Sequence, residues 1–387
     1  MSVLKVNNIQ NASGTDAISI GSDGSLSYPN IGRRNLIING AMQVAQRGTS
    51  GTSSGFNSVD RFSSPYETGG TMVITQSQET MSSSDTPFSS GFRHYMRLTM
   101  TTAGSDSVDD WSYIGHKIEA QNIASCGWDY TSPSSYITMS MWLRTSVSGT
   151  YYISHRLLNT SPQIAYVKGV TLTANTWTKV VYSIPGNASA VINSDNGGGL
   201  EIYIRPYVGT AYTDNTVALD TWYGRSGTTQ CPDYTHSWGL TAGATFDLTG
   251  VQLEVGSVAT PFEHRSYGEE LALCQRYFVQ QNSNNKSYDL IFPAMVIDAD
   301  DANTCWQPPV SLRVAPTISV SNAAHICINY NTGNNESPVN IYPGALSYPS
   351  MYFNLDTNTA VLTTGQMVFL AFTNNTSGGY IRFDAEL

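Results

Sequence analysis

The chain has 387 residues, enough for two or three domains with substantial cores, yet only 12% are Asp, Glu, Lys or Arg, against ~25% in ordinary soluble domains. A net charge of −10, with no cationic cluster beyond the Arg33-Arg34 pair, argues against nucleic-acid binding, which needs grouped cations against phosphate. No apolar stretch approaches the ~20 residues of a membrane span, and the opening MSVLKVNNIQ lacks the charged start and apolar run of a signal peptide, so neither membrane insertion nor secretion is expected.

Gly (33) and Tyr (23), with many Ser, Thr and Asn, take the place of the missing charges, a composition suited to β-sandwiches. Cys126, Cys231, Cys274, Cys305 and Cys327 are odd in number and widely spaced, and read as buried free thiols.

Residues 1–34 stand apart. "VLKVNNI" and "AISI…GSLSY" are short strand candidates separated by turn formers, a β-hairpin-like segment. Leu4, Val6, Ile9, Ile18 and Ile20 alternate without enough chain to cover them, so this piece is expected to dock on another protein or on copies of itself.

Residues 35–265 read as one β domain. In "YITMSMWLRT", Ile137, Met139, Met141 and Leu143 alternate with Thr138, Ser140, Trp142 and Arg144, the period-2 pattern of a half-buried strand. "GTYYISHRLL", "TWTKVVYSIP" and "LEIYIRPYVG" follow between Gly, Asn, Pro and Ser clusters. Such spacing predicts an antiparallel sandwich whose strands each show one face to water. Residues 187–199 and 209–238 are its candidate long loops. "FDLTGVQLEVGS" reads as its last strand, with Val251, Leu253 and Val255 on one face.

Residues 266–387 begin with a helix. Ser266 and Glu269 match a capping box, and Leu271, Cys274 and Phe278 recur at helical spacing, which predicts a short amphipathic helix over 267–280. It is expected to sit as a hinge and plug between two β domains. Strand signals such as "SYDLIFPAMVID", "MYFNLD", "QMVFLAFTN" and "GGYIRFDAEL" then predict a C-terminal β-sandwich. The fold class is therefore all-β.

"NLIINGAMQVAQRG", "SVDRF", "GVQLEVGSVATPFEHRSYGEELALCQRYF" and the terminal "IRFDAEL" resemble a set found in bacteriophage tail fibre and virion-appendage proteins. In those, a carbohydrate-binding-module-like jelly roll precedes a small C-terminal β domain. "LKVNNIQNASGTDAISIGSDGSL" is similar to the N-terminal attachment segments of marine-phage fibres. The resemblance implies a virion protein, made in the host cytoplasm, that contacts the host surface as a homotrimer. It also implies that residues 1–34 attach to other tail or capsid proteins and that residues 35–265 form the jelly roll. Many such jelly rolls hold calcium through an acidic pair in the last strand. Here Asp247-Leu248-Thr249-Gly250-Val251 has one carboxylate, which does not favour that site.

Glycan cleavage would need two carboxylates across the scissile bond. Asp109, Asp110, Asp129, Asp233, Asp298, Asp300 and Asp301 are available, but exposed turn carboxylates are the simpler reading of each. No nucleophile elbow, HExxH or phosphate-binding loop is present, and the scattered histidines do not suggest zinc. "VIDADDAN" fails the EF-hand pattern and reads as a solvated turn. We therefore expect no enzyme, no metal and no cofactor.

Aromatics carry more. Sugar rings offer apolar faces to Trp and Tyr, while Asp and Arg bind hydroxyls. Trp128 and Tyr130 in one loop, and Trp222, Tyr223, Arg225, Asp233, Tyr234 and Trp238 in another, are the candidate glycan or receptor contacts. The competing reading is that these rings pack over the end of the sandwich. For the whole chain the alternatives to host attachment are a purely structural capsid fibre, knob or tail component, and a glycan depolymerase. A truncation lacking residues 1–34 is expected to fold yet fail to join its parent particle, which sedimentation of assembled particles would reveal.

Overall fold

Apolar–polar alternation becomes paired strand nearly everywhere. A computed structural model of the protein describes residues 6, 8–10, 16–20, 26–27, 34–67, 71–283, 290–331, 334–336, 339–347, 350–357, 360–373 and 378–387, and the fold is all-β. Strands β1 (Asn8–Gln10), β2 (Asp16–Ile20) and β3 (Leu26–Ser27) form a small antiparallel sheet with Ile9 opposite Ile18. Val6 is partly exposed. Docking through Leu4, and through the side chains of Ile9, Ile18 and Ile20, concerns positions outside the described residues.

Twelve strands between residues 50 and 255 form two six-stranded sheets. In chain order they are β4 (Ser50–Gly51), β5 (Tyr66–Glu67), β6 (Val73–Thr80), β7 (His94–Thr102), β8 (Trp111–Glu119) and β9 (Tyr136–Thr145). Then come β10 (Gly149–Leu157), β11 (Ile164–Leu172), β12 (Thr178–Pro185), β13 (Gly198–Val208), β14 (Trp222–Gly224) and β15 (Thr245–Val255). The front sheet runs β14-β11-β10-β13-β8-β5 and the back sheet β12-β9-β15-β7-β6-β4. From β7 to β10 the chain crosses between sheets at every step, a jelly-roll-like sandwich. Ile137, Met139, Met141 and Leu143 of β9 are fully buried against Ile153, Ile202 and Ile204 of the front sheet. Each such side chain stabilises by about 1.5–3 kcal/mol.

Strand β15 keeps its core face through a bulge. Phe246 and Leu248 point inward before it, Val251 and Leu253 after it, and the register shifts between Thr249 and Gln252. Gly250 makes the shift with φ of +63°, and a Cβ there would strike the Phe92 ring at 2.7 Å.

The back sheet does not show one face to water as alternation suggested. Residues 256–263 fold back across it. Glu254 accepts from the Thr260 amide and hydroxyl, and Gln252 accepts from the Glu263 amide. Thr138 donates to the Gly256 carbonyl. This strap buries polar positions that a two-residue period would leave wet.

Helix α1 (Ala120–Ala124) closes one end of the front sheet, and α2 (Tyr267–Gln275) follows the strap. The capping box of α2 is formed as expected. The helix ends five residues earlier than its periodicity predicts, because Phe278 is drawn into a strand, Phe278–Asn282, paired with Tyr380–Asp384. Nor is it a hinge. Glu270 accepts from the Asn39 amide, and Arg276 and Tyr277, just beyond the helix, both bond Glu119 of β8.

A second core lies beyond it. Phe278–Asn282, Tyr380–Asp384 and Thr317–Val320 form one sheet, facing a seven-stranded sheet drawn from residues 290–372. Phe292, Trp306, Phe353 and Phe383 cluster between them, with Trp306 stacked on Phe383 at 3.9 Å. All five cysteines are unpaired, although Cys305 is exposed rather than buried.

The two cores meet through buried charge. Arg61 bonds Glu386 and lies 3.5 Å over the Tyr277 ring. Arg47 lies 3.4 Å over Phe278 and reaches Asp60, Asp384 and Glu386. Removing one partner of a buried pair strands the other charge. Arg61→Ala is therefore expected to destabilise the protein by about 3 kcal/mol in urea unfolding; a loss below about 1 kcal/mol would mean that the pair contributes no more than a surface contact.

A second prediction concerns acid. His155 is fully buried with Nε2 2.7 Å from the Tyr182 hydroxyl, and burial pushes its pKa down to about 3. Its contribution to stability is complete above the ordinary value near 6.5 and is lost as pH falls toward 3, at about 1.4 kcal/mol per pH unit. Urea midpoints from pH 7.5 to 4.5 should thus fall more steeply for the native chain than for His155→Gln; parallel curves would refute this.

Candidate functional site

The residues expected to bind ligand turn out to be two kinds of thing. Trp238 is fully buried with Nε1 bonded to the Thr245 carbonyl, and Trp128 is buried with Nε1 bonded to Ser135. As contact residues both are corrected: each is a core ring whose one polar atom is satisfied. Tyr130 packs edge-on against Trp128. Trp222 is half-buried, donates to the Pro185 carbonyl at 2.7 Å and meets Tyr166 edge-on.

Residues 209–238 do not project as a free loop. They fold over the outer face of the front sheet. There Tyr152, Val167, Val208, Val217 and Cys231 form a satellite core with Trp111, Tyr212, Tyr223 and Tyr234 packed against it. The Tyr234 hydroxyl donates to the Arg205 carbonyl, and Tyr223 to the carbonyls of Thr229 and Gln230. Asp233 binds Thr213 and the Asn215 side chain, which holds the loop on itself. Of the expected set, Arg225 is the one that lines an opening.

That opening lies where the loop stops. Strands β8, β13 and β10 are neighbours in the front sheet, and alternate residues of each face away from the core: Trp111, Tyr113 and Lys117; Glu201, Tyr203 and Arg205; Ser154 and Arg156. Tyr113 stands 5.3 Å from Trp111 with rings nearly parallel and 4.2 Å from Tyr203, so three aromatic rings form a continuous track. Two hollows of about 200 Å³ each share Tyr113. The upper is closed by Tyr212, Arg225 and Gln230, the lower by Phe56, Lys117, Glu201 and Leu387. Each is smaller than the ~300–1,000 Å³ of sites that engulf a drug-sized ligand. Together they make a shallow groove.

Its charges are unevenly matched. Glu201 is the one side-chain carboxylate in the lining, and it is bound by Arg156, with Lys117 at 3.5 Å. Arg205 spans Tyr203 and Tyr113, with its guanidinium 4.7 and 5.7 Å from the two ring centres, and donates to Ser154. Burial, and then Glu201, raise the pKa of both Tyr113 and Tyr203. Burial, followed by Arg156 and Arg205, lowers that of Arg225.

Larger hollows, about 620 and 680 Å³, flank α2, but their arginines are structural. Arg276 is committed to Glu119, and Arg265 to Glu263, Glu270 and the Ile37 carbonyl. Asp298, Asp300 and Asp301 bring carboxylate oxygens within 4.8 Å of one another. Asp298 accepts from the amides of Asp300 and Asp301, so the turn itself accounts for the grouping. Asp247 is buried between Arg97 and Arg144, so two guanidinium groups balance its charge.

No protein-family model matches the chain, and no curated protein does. Among solved structures it is similar to the enzymatically active domain of tailspike protein 4 of bacteriophage CBA120, at 13% identity and a TM-score of 0.31. That match covers 57% of this chain and 21% of the tailspike chain. A putative sugar binding protein from Bacteroides thetaiotaomicron is similar at 11% identity and a TM-score of 0.30, over 58% of this chain and 100% of that one. The CBM22-1 xylan-binding domain from Paenibacillus barcinonensis is similar at 8% identity and 0.28, over 59% and 100%. At such scores these likenesses carry no functional weight, and the jelly-roll description stands on the chain's own sheets.

Proposed function

We propose that this protein is a phage virion appendage, a tail fibre or similar part, that binds host-surface glycan through the groove on β8, β13 and β10. The observation that carries the reading is the Trp111–Tyr113–Tyr203 track beside arginines in an open groove. Aromatic faces accept the C–H faces of sugar rings, and guanidinium groups bind their oxygens. The virion assignment rests on the fibre-like sequence blocks, with residues 1–34 as the piece that attaches to tail or capsid proteins, residues 35–265 as the binding domain and residues 266–387 as the second β domain.

Binding rather than cleavage is the better reading of the groove. Hydrolysis calls for two carboxylates about 5–10 Å apart, whereas Glu201 has no second side-chain carboxylate in the lining and is neutralised by Arg156.

The protein is read as a homotrimer. A shallow site binding in the millimolar range supplies only about −4 kcal/mol, and linking several raises avidity by ~10²–10⁴. Light scattering should therefore give a mass of three chains. On host polysaccharide, Trp111→Ala and Tyr113→Ala should each weaken binding by on the order of tenfold, about 1.4 kcal/mol, measured well below the unfolding midpoint of each variant, which loss of a half-buried ring lowers. Full binding by both folded variants would remove the groove as the site, and product release from the polysaccharide would favour the depolymerase.

A further inference from the structure

The upper hollow holds more positive charge than a neutral sugar requires. Arg205 and Arg225 line it with no side-chain carboxylate beside them, two positive charges in a chain of net charge −10. Arg156 and Lys117 are the pair that Glu201 engages. Among the described residues, no carboxylate lies within salt-bridge distance of Arg205 or Arg225, and the Arg225 guanidinium makes no hydrogen bond. Arg205 is 2% exposed and rests on aromatic rings. Arg225 is fixed at the rim because its amide donates to the Gln163 carbonyl beside β11.

Like charges held close in a partly dry site raise the energy of the free protein, and the lowered pKa of Arg225 reports that repulsion after the effect of burial. An anion placed between Arg205 and Arg225 removes the repulsion and gains charge-assisted, bidentate hydrogen bonds. A neutral hydroxyl does neither.

We propose that the upper hollow, lined by Trp111, Tyr113, Tyr203, Arg205, Arg225 and Gln230, selects an acidic sugar, its ring against the aromatic track and its carboxylate or sulfate on Arg205 and Arg225. The inference rests on the glycan-binding reading and narrows it to a substrate class. Uronic acids and sulfated sugars present the same chemistry, an anionic group at the edge of a pyranose ring. The neighbouring lower hollow, with Glu201 already engaged, takes the adjoining sugar of the same chain.

The test uses the full-length protein and titration calorimetry with three probes: an oligogalacturonate, its neutral methyl ester, and a sulfated galactan oligosaccharide. An acidic probe is expected to bind at least tenfold more tightly than the methyl ester, and the two acidic arms distinguish carboxylate from sulfate. Arg225→Gln, at a half-exposed position, should keep the fold, checked by its unfolding midpoint, while losing most of the tenfold preference for the acidic probe over the methyl ester. Arg225→Lys should retain part of it. Equal binding of acidic and neutral probes overturns the acidic-sugar inference and leaves glycan binding intact. Binding of no saccharide at all overturns both. Equal binding of inorganic phosphate or polyglutamate, with the methyl ester inert, shows a bare anion site and overturns the sugar part of the inference.

Discussion

Two buried arginines hold this molecule together. Arg47 and Arg61 leave the segment after the first described strands, lie flat on Phe278 and Tyr277, and take the carboxylates of Asp384 and Glu386. Buried ions are costly unless geometry is good and further hydrogen bonds are made. Here rings cover one face of each planar guanidinium while carboxylates meet its edge, although Arg47 Nη1 and Arg61 Nε are buried without a hydrogen bond. The consequence is positional. The second core is fastened to the front sheet of the sandwich, and the Glu386–Leu387 segment becomes one wall of the lower hollow.

The groove follows from the same constraint combined with topology. The front sheet has an outer face that two covers share: residues 209–238 over the strands around β11, and the chain's last residues at the β8–β5 side. What stays open is the strip between, where β8, β13 and β10 present aromatic and charged side chains. A fully covered strip would be ordinary core, and a bare one would be flat. Partial cover leaves a trough whose floor is already desolvated, which strengthens electrostatic contacts made there.

The fold was legible where pattern is local. Period 2 in "YITMSMWLRT" located a core strand, and Ser266–Glu269 located a helix start to the residue. Phe278 was misread because its helical spacing to Cys274 competed with a strand partner more than 100 residues away, Asp384. The wet face expected of the back sheet was misread for a similar reason, since the strap over β15 is a tertiary feature. The site was less legible still. Aromatic density drew attention to residues 222–238, where the rings serve mainly to hold the loop down. The groove's own residues sit in the unremarked alternate positions of "WSYIGHK" and "EIYIR", opposite Ile114, Ile202 and Ile204. A Tyr or Arg at such a position was a local clue; that three separate strands carry them side by side depends on pairing, Tyr203 with Gly115 and Ser154 among others.

That arrangement also bears on how a shallow groove can discriminate. Stacking on Trp111 and Tyr113 is tolerant, because every pyranose has an apolar face. Selectivity must come from groups whose satisfaction depends on the ligand. Glu201 and Arg156 satisfy each other and so are indifferent to what arrives. Arg205 and Arg225 are not, since without a ligand neither has a carboxylate partner among the described residues. A site of this design gives up stability in the unliganded state for contrast between ligands, as functional sites commonly do. Repetition across a trimer would then multiply the contrast as well as the affinity, because each engaged copy discriminates independently while the linked copies bind together.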